Sequence, residues 1–208
     1  EAGMAPFTAT PHSSLGFPAD STLDATARGI IELLWAEPRA TNQQIATRLG
    51  SSETTVRSRI ADLRARGVLR ITAVNNLRLS RGLNALTTNS ILMQVAADQA
   101  NALALSEGAI GHERPCGMTL GQDLLRRGFP LSGALSLDGY RSENWVAAST
   151  TDDAIRFWLS DEPHTDTMVD PNRSDIGAAV AVGDQTYVVL ETALSTASGQ
   201  MQYEAAGI

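Results

Sequence analysis

Lysine is missing from this chain of 208 residues: all sixteen basic residues are arginine, a bias that fits a GC-rich genome better than any physical need. Cysteine is nearly missing too. The one thiol, Cys116, excludes an internal disulfide and leaves the redox compartment unreadable, and a lone thiol is more often idle than reactive. No apolar run approaches the ~20 residues that a membrane-spanning helix needs. The first twenty residues have neither a basic start nor a continuous apolar stretch, so they do not read as a signal peptide. No Ser or Cys stands in a motif with a base partner, and Gly117–Gly121 is too short and apolar for a phosphate loop. Aromatics make up only 5% of the chain, and Trp35, Trp145 and Trp158 read as core anchors.

What is present divides in two. Residues 21–73 hold eight arginines against five acids, a net of +3, whereas residues 74–208 hold eight against sixteen, a net of −8. A charge split of this kind points to two jobs. At 43% hydrophobic, the chain can bury one good core or two small ones.

Residues 1–20 are rich in Pro, Ser, Thr and Gly without periodicity and read as a flexible tail. Asp24 can then cap a helix with Ala27, Ile30, Ile31 and Leu34 on one face, ending before Pro38. Thr41 to Gln44 fits a capping box, and Ile45, Ala46 and Leu49 line a short helix stopped by Gly50. Ser52 caps a third helix with Val56, Ile60 and Leu63 inward and Gly67 as its stop, and Val68–Ile71 reads as a wing strand. Three helices, a tight turn and a strand make a winged helix-turn-helix over 21–73. Its third helix would present Glu53, Thr54, Thr55, Arg57 and Ser58 to bases, and Arg59, Arg64, Arg66 and Arg70 to phosphates of double-stranded DNA. A plain solvated helix face would carry the same arginines. High affinity would require two half-sites and a homodimer.

The second half begins with a helix near Val74–Arg81, stopped by Gly82, and a longer one over 89–105 whose narrow stripe of alanines would let it sit close to a sheet. Thr119–Arg127 reads as a third helix, and Thr150 to Asp153 starts a fourth that runs to about Leu159. Ile176–Val182 and Thr186–Glu191, joined at Gly183-Asp184, make a hairpin. The last residues, 195–208, read as a loose tail.

Two resemblances sharpen this reading. Leu23-Asp24, Asn42 to Ala46, Ser52 to Val56 and Gly67 to Ile71 follow the order of the DNA-binding domain of the Lrp/AsnC regulators. From about 74 to 194 the chain resembles the bacterial branch of the CAP superfamily, the cysteine-rich secretory, antigen 5 and pathogenesis-related group, also called SCP-like. Ser142-Glu143-Asn144 stands for its Gly-Glu-Asn, Ser160 to His164 after Trp158 for its Ser-Pro-Gly-His, and Ile176 to Ala179 for its Ile-Gly-Val-Gly. Glu162-Pro163 and Thr165-Asp166 depart from the family's Pro-Gly-His-Arg. The implied fold is α+β: a winged helix-turn-helix followed by an α/β/α sandwich with an antiparallel sheet.

The CAP resemblance also implies a central cleft with two histidines and one or two acids, here His112, Glu143 and His164, with Asp161 at the spacing of the second acid. Such a set suits a divalent metal such as zinc, a weak acid/base pair for a metal-dependent hydrolase, or a buried hydrogen-bond network. The family more often implies a non-enzymatic domain that takes a small ligand, a lipid or a protein. The halves imply different compartments, extracytoplasmic for the CAP-like half and cytoplasmic for the other.

Overall fold

A computed structural model describes residues 23–37, 40–65, 68–114, 117–148 and 151–198, with the side chains of Trp35, Arg64, Ala65, Thr151 and Asp152 excepted. The expected amino-terminal tail, residues 199–208 of the expected carboxyl-terminal one, Arg66, Gly67, Cys116 and Thr150 lie outside the described residues, as do the tryptophan anchor expected at 35 and the side chain of Arg64. The start of the second tail is not loose: buried Ser195 bridges Leu131, and Thr196–Ser198 make a short 3-10 turn whose Thr196 amide donates to the Pro130 carbonyl at 2.8 Å.

The amino-terminal helices form where the capping residues put them. Helix α1 spans Ala25–Ala36, and the Asp24 carboxylate accepts from the Ala27 amide at 2.8 Å. Helix α2 (Asn42–Leu49) starts in a complete capping box between Thr41 and Gln44 and stops at Gly50, whose φ of 60° is the left-handed turn glycine adopts without strain. Helix α3 (Glu53–Ala65) begins where Ser52 Oγ accepts from the Thr55 amide at 3.0 Å. Ile30, Ile31, Ile45, Val56, Ile60 and Leu63 close one core among the three.

The expected wing strand does not form. Val68–Ile71 opens a single helix, α4 (Val68–Ser80), which runs on through the segment expected to start separately at Val74. Side-chain burial explains the difference. Val68, Ile71, Val74 and Arg78 recur at three-and-four spacing and are all buried, a pattern a two-residue period cannot satisfy.

The remainder is a three-layer sandwich. Strands β1 (Thr87–Thr88), β2 (Arg141–Ala147), β3 (Asp175–Val182) and β4 (Thr186–Ala193) lie in the order β1-β3-β4-β2. All pairings are antiparallel except the two-residue β1, which runs parallel to β3. Ile176, Ala178, Val188 and Leu190 face α4, α7 (Thr151–Trp158) and α8 (Glu162–Val169), where Val74, Trp158 and Met168 pack. Ala179, Ala181, Tyr187 and Val189 face α5 (Ser90–Leu105) through Ala96, Ala100 and Leu103. Helix α6 (Leu120–Arg126) joins the α5 side through Leu124. Helix α8 was not expected; Asp161 as its cap and Pro163 in its first turn are the signals that mark it.

Gly177 is where sheet and helix come closest. A Cβ there would stand 2.2 Å from the Leu92 backbone carbon and 2.4 Å from its oxygen. Backbone cannot yield as a side chain can, so Gly177→Ala must push α5 off the sheet. We expect it to destabilise the protein by about 1–3 kcal/mol, read as a lower urea midpoint at unchanged slope.

Candidate functional site

On the helix-turn-helix, Glu53, Thr54, Thr55, Arg57, Ser58 and Arg59 are all exposed on the outer face of α3, as the inward set Val56, Ile60 and Leu63 requires. Several of these groups are already engaged. Arg57 pairs with Glu53 one turn away, and Arg59 reaches Asp24, the cap of α1, at 2.5 Å. Arg48 on α2 pairs with Glu37 at 2.6 Å. Exposed pairs of this kind contribute little stability and yield readily to a competing anion. Arg70 corrects the expectation: it is only 5% exposed, on the buried side of α4, and is not placed to meet a phosphate.

In the sandwich, alternation along β2 separates the expected cleft residues. Glu143 points to the α5 face, together with Trp145 and Ala147. Its neighbour Asn144 points to the opposite face and donates to the His164 carbonyl at 2.8 Å. His164 belongs to the start of α8, where the Asp161 carboxylate accepts from its amide at 3.0 Å and lies 2.7 Å from its Nδ1. Asp161 is therefore a helix cap. The four residues form two separate His–acid pairs on opposite faces of the sheet, His112–Glu143 and His164–Asp161. Among the described residues no group of three or more His, Cys, Asp or Glu is placed to hold a metal ion, so the donor set that zinc would require is not assembled.

What surrounds Glu143 is a buried ionic cluster. Glu191 on β4 is its register partner on the same face. Arg114 Nη2 lies 2.5 Å from Glu143 Oε2 and 2.6 Å from Glu191 Oε1. The side chains of Arg114, Glu143 and Glu191 are 3%, 6% and 0% exposed, whereas that of His112 is 61% exposed and caps the cluster, its Nδ1 2.7 Å from Glu143 Oε1. Gln99 of α5 positions this rim by donating to the carbonyls of Gly111 and Glu113 at 2.8 and 3.0 Å.

Two buried carboxylates share one guanidinium, and their affinities for a proton separate. Burial, then the neighbouring Glu143 charge, pushes Glu191 well above the ordinary carboxylate range. Burial also opposes ionisation of Glu143, but the bonds from His112 and Glu191 and the Arg114 charge outweigh it and hold Glu143 below that range. Glu191 Oε2 is buried and makes no hydrogen bond as a carboxylate oxygen. With Glu191 protonated, Arg114 faces a single buried carboxylate, that of Glu143.

Arg114 and Glu191 were not foreseen. An acid inside the apolar strand Tyr187-Val-Val-Leu-Glu191 was the available signal. A cavity of about 600 Å³ opens elsewhere, lined by Val146, Ala148, Phe157, Val182, Gly183 and Thr186; none of His112, Glu143, Asp161 or His164 lines it.

Residues 71–192 match the family model for the cysteine-rich secretory protein family, known as CAP, more than half of the chain. The chain belongs to the cysteine-rich secretory protein family. Residues 23–70 match the model described as winged helix-turn-helix DNA-binding. Among curated proteins none matches. Of solved structures, an outer surface protein from Borrelia burgdorferi is 17% identical, with a TM-score of 0.55, covering 64% of this chain and 96% of its own. An extracellular protein containing a SCP domain from Bacillus anthracis is 23% identical, with a TM-score of 0.48, covering 61% of this chain. A cysteine-rich secretory protein from Staphylococcus aureus is 17% identical, with a TM-score of 0.46, covering 62%. The matches span only 39% and 38% of the last two proteins. The CAP domain here thus carries an amino-terminal helix-turn-helix.

The buried pair makes stability depend on pH with a definite sign. Glu191 holds its proton more tightly when folded than when unfolded, so its contribution is complete below the ordinary carboxylate range and is lost as pH rises through its folded value. Glu143 acts in reverse, its contribution being lost only as pH falls through a depressed folded value. The unsubstituted protein should lose urea midpoint as pH rises above the ordinary carboxylate range, and Glu191→Gln should flatten that fall. An equal slope in both proteins would place the proton elsewhere.

Proposed function

We propose that this is a non-enzymatic CAP-domain protein that binds double-stranded DNA through residues 42–70 and acts as a transcriptional regulator of the Lrp/AsnC-like kind. One observation carries the reading: α2, a left-handed stop at Gly50 and a Ser52-capped α3 leave Thr54, Thr55, Arg57 and Ser58 together on one exposed face. A recognition helix presents that surface to the major groove. Arg59, held by Asp24, can exchange that carboxylate for a phosphate, releasing counterions as it does so, and Arg57 can leave Glu53 for a base edge. A homodimer supplies the second half-site. The sandwich takes a small ligand, a lipid or a protein, and the half-open pocket of about 600 Å³ beside Phe157, Val182 and Asp184 offers it room that the filled cluster at Glu143 does not. The separation of the His112 and His164 pairs argues against a metal-dependent hydrolase.

A second reading keeps the sandwich as an extracytoplasmic binding domain with no DNA role. It is favoured by the self-paired state of Arg48, Arg57 and Arg59, each of which already has a carboxylate partner within the protein.

Fluorescence anisotropy of a mixed-sequence duplex separates the two readings. The first predicts binding at about 50 mM salt that weakens steeply by about 200 mM. Arg59→Ala should reduce the salt slope by about 1, and Arg57→Ala should weaken binding as the loss of a base contact does. No binding at the lower salt, or a slope that neither substitution changes, would favour the second reading.

A further inference from the structure

Helix α4 belongs to both halves of the protein. Its first residues, Val68 and Leu69, pack into the core formed by α1, α2 and α3. Its next residues, Ile71, Val74 and Leu77, pack into the sandwich core with Trp158, Met168 and Ile176. Val68 and Ile71 are about 4.5 Å apart along the helix axis, less than one turn. No linker residue separates the cores.

The backbone crosses the same boundary. In an α-helix the amides of Thr72, Ala73 and Val74 donate to the carbonyls of Val68, Leu69 and Arg70. The Thr72 hydroxyl adds a further bond to the Val68 carbonyl at 2.9 Å. The far end of α4 is then clamped into the sandwich. Asn75 takes both the amide and the carbonyl of Leu86, at 2.7 and 3.0 Å. The buried Arg78 donates to the carbonyls of Asn84, Met168 and Asp170 at 2.8, 3.0 and 2.9 Å, which ties α4 to the carboxyl end of α8.

The amino-terminal half depends on that anchorage. A domain spanning 23–70 is close to the size, about 40 residues, below which a core alone rarely holds. If the sandwich lets go of α4, what remains on the helix-turn-helix side is a turn too short to stay helical in water. Val68 then leaves the core in which Val56, Ile60 and Leu63 hold α3.

We propose that α4 couples the two halves into one cooperative unit, so that loosening or tightening the sandwich around Met168 changes the stability of α3 and, with it, the affinity for DNA. The link to DNA rests on the function proposed above; the coupling itself does not.

Amide hydrogen exchange on the full chain tests it. Met168→Ala leaves a cavity in the sandwich core. Coupling predicts that exchange at Val56, Ile60 and Leu63 in α3 rises by at least about tenfold, in step with Ala178 and Leu190 in the sheet. Inserting Gly-Ser-Gly between Leu69 and Arg70 interrupts the shared helix, and in that chain Met168→Ala should change the sheet amides alone. Acceleration confined to the sheet in the uninterrupted chain would overturn the proposal. Should Met168→Ala fail to fold, urea unfolding decides: one transition in the unsubstituted chain and two in the inserted chain support the coupling, whereas the same number in both refutes it. Duplex titrations of the same variants read the DNA arm. Weaker binding on Met168→Ala only in the uninterrupted chain is expected, and equal weakening or none in both overturns that arm. If the unsubstituted chain does not bind DNA at all, the proposed function falls while the exchange result still decides the coupling.

Discussion

The sandwich rests on how closely α5 can lie against β3, and Gly177 sets that distance. With no side chain at this position, the backbone near Leu92 comes into contact with the strand, and Ala96 and Ala100 continue the approach against Ala179 and Ala181. Everything on that face of the sheet is located from α5. Gln99, buried within the same stripe, holds the carbonyls of Gly111 and Glu113 and so brings His112 and Arg114 over Glu143 and Glu191. Moving the helix outward would draw Arg114 away and leave the buried Glu143 carboxylate without the guanidinium that offsets it, a costly arrangement.

This cluster clarifies what the family's motif residues do in this chain. Glu143 spends its charge on Arg114 and His112 inside the protein, and His164 and Asp161 close the start of a helix on the other side of the sheet. In this structure those contacts position side chains and hold layers together.

Much of this was legible in residue order, for physical reasons that differ by element. Helix starts were readable because a cap is a local device: Asp24, Thr41 and Ser52 each accept the amide bonds their spacing implied, and Asn89 and Thr119, read only as the first residues of helices, prove to be caps too. The small-residue stripe of α5 was readable because only close packing calls for it. Val68–Ile71 was not. Its β-branched residues fit a strand equally well, and the choice is made by two cores that lie on either side of it in space. Arg70 misled for the same reason, since a cation in a strand at the domain edge faces solvent whereas one on the inner side of a helix does not. The cluster at Glu143 escaped because its partners, Arg114 and Glu191, come from segments that meet only once the sheet is formed. Composition suggested two separate jobs in the two halves, yet α4 joins them without a linker.

The central claim is that the exposed face of α3 is a DNA-reading surface on a CAP-domain protein. An amide-resolved NMR titration of the full chain with a mixed-sequence duplex at low salt tests it most directly. The account predicts shift changes centred on Thr54, Thr55, Arg57 and Ser58, spreading to α2 and fading across the sheet. Changes centred on the sandwich, or none at all under those conditions, would contradict it.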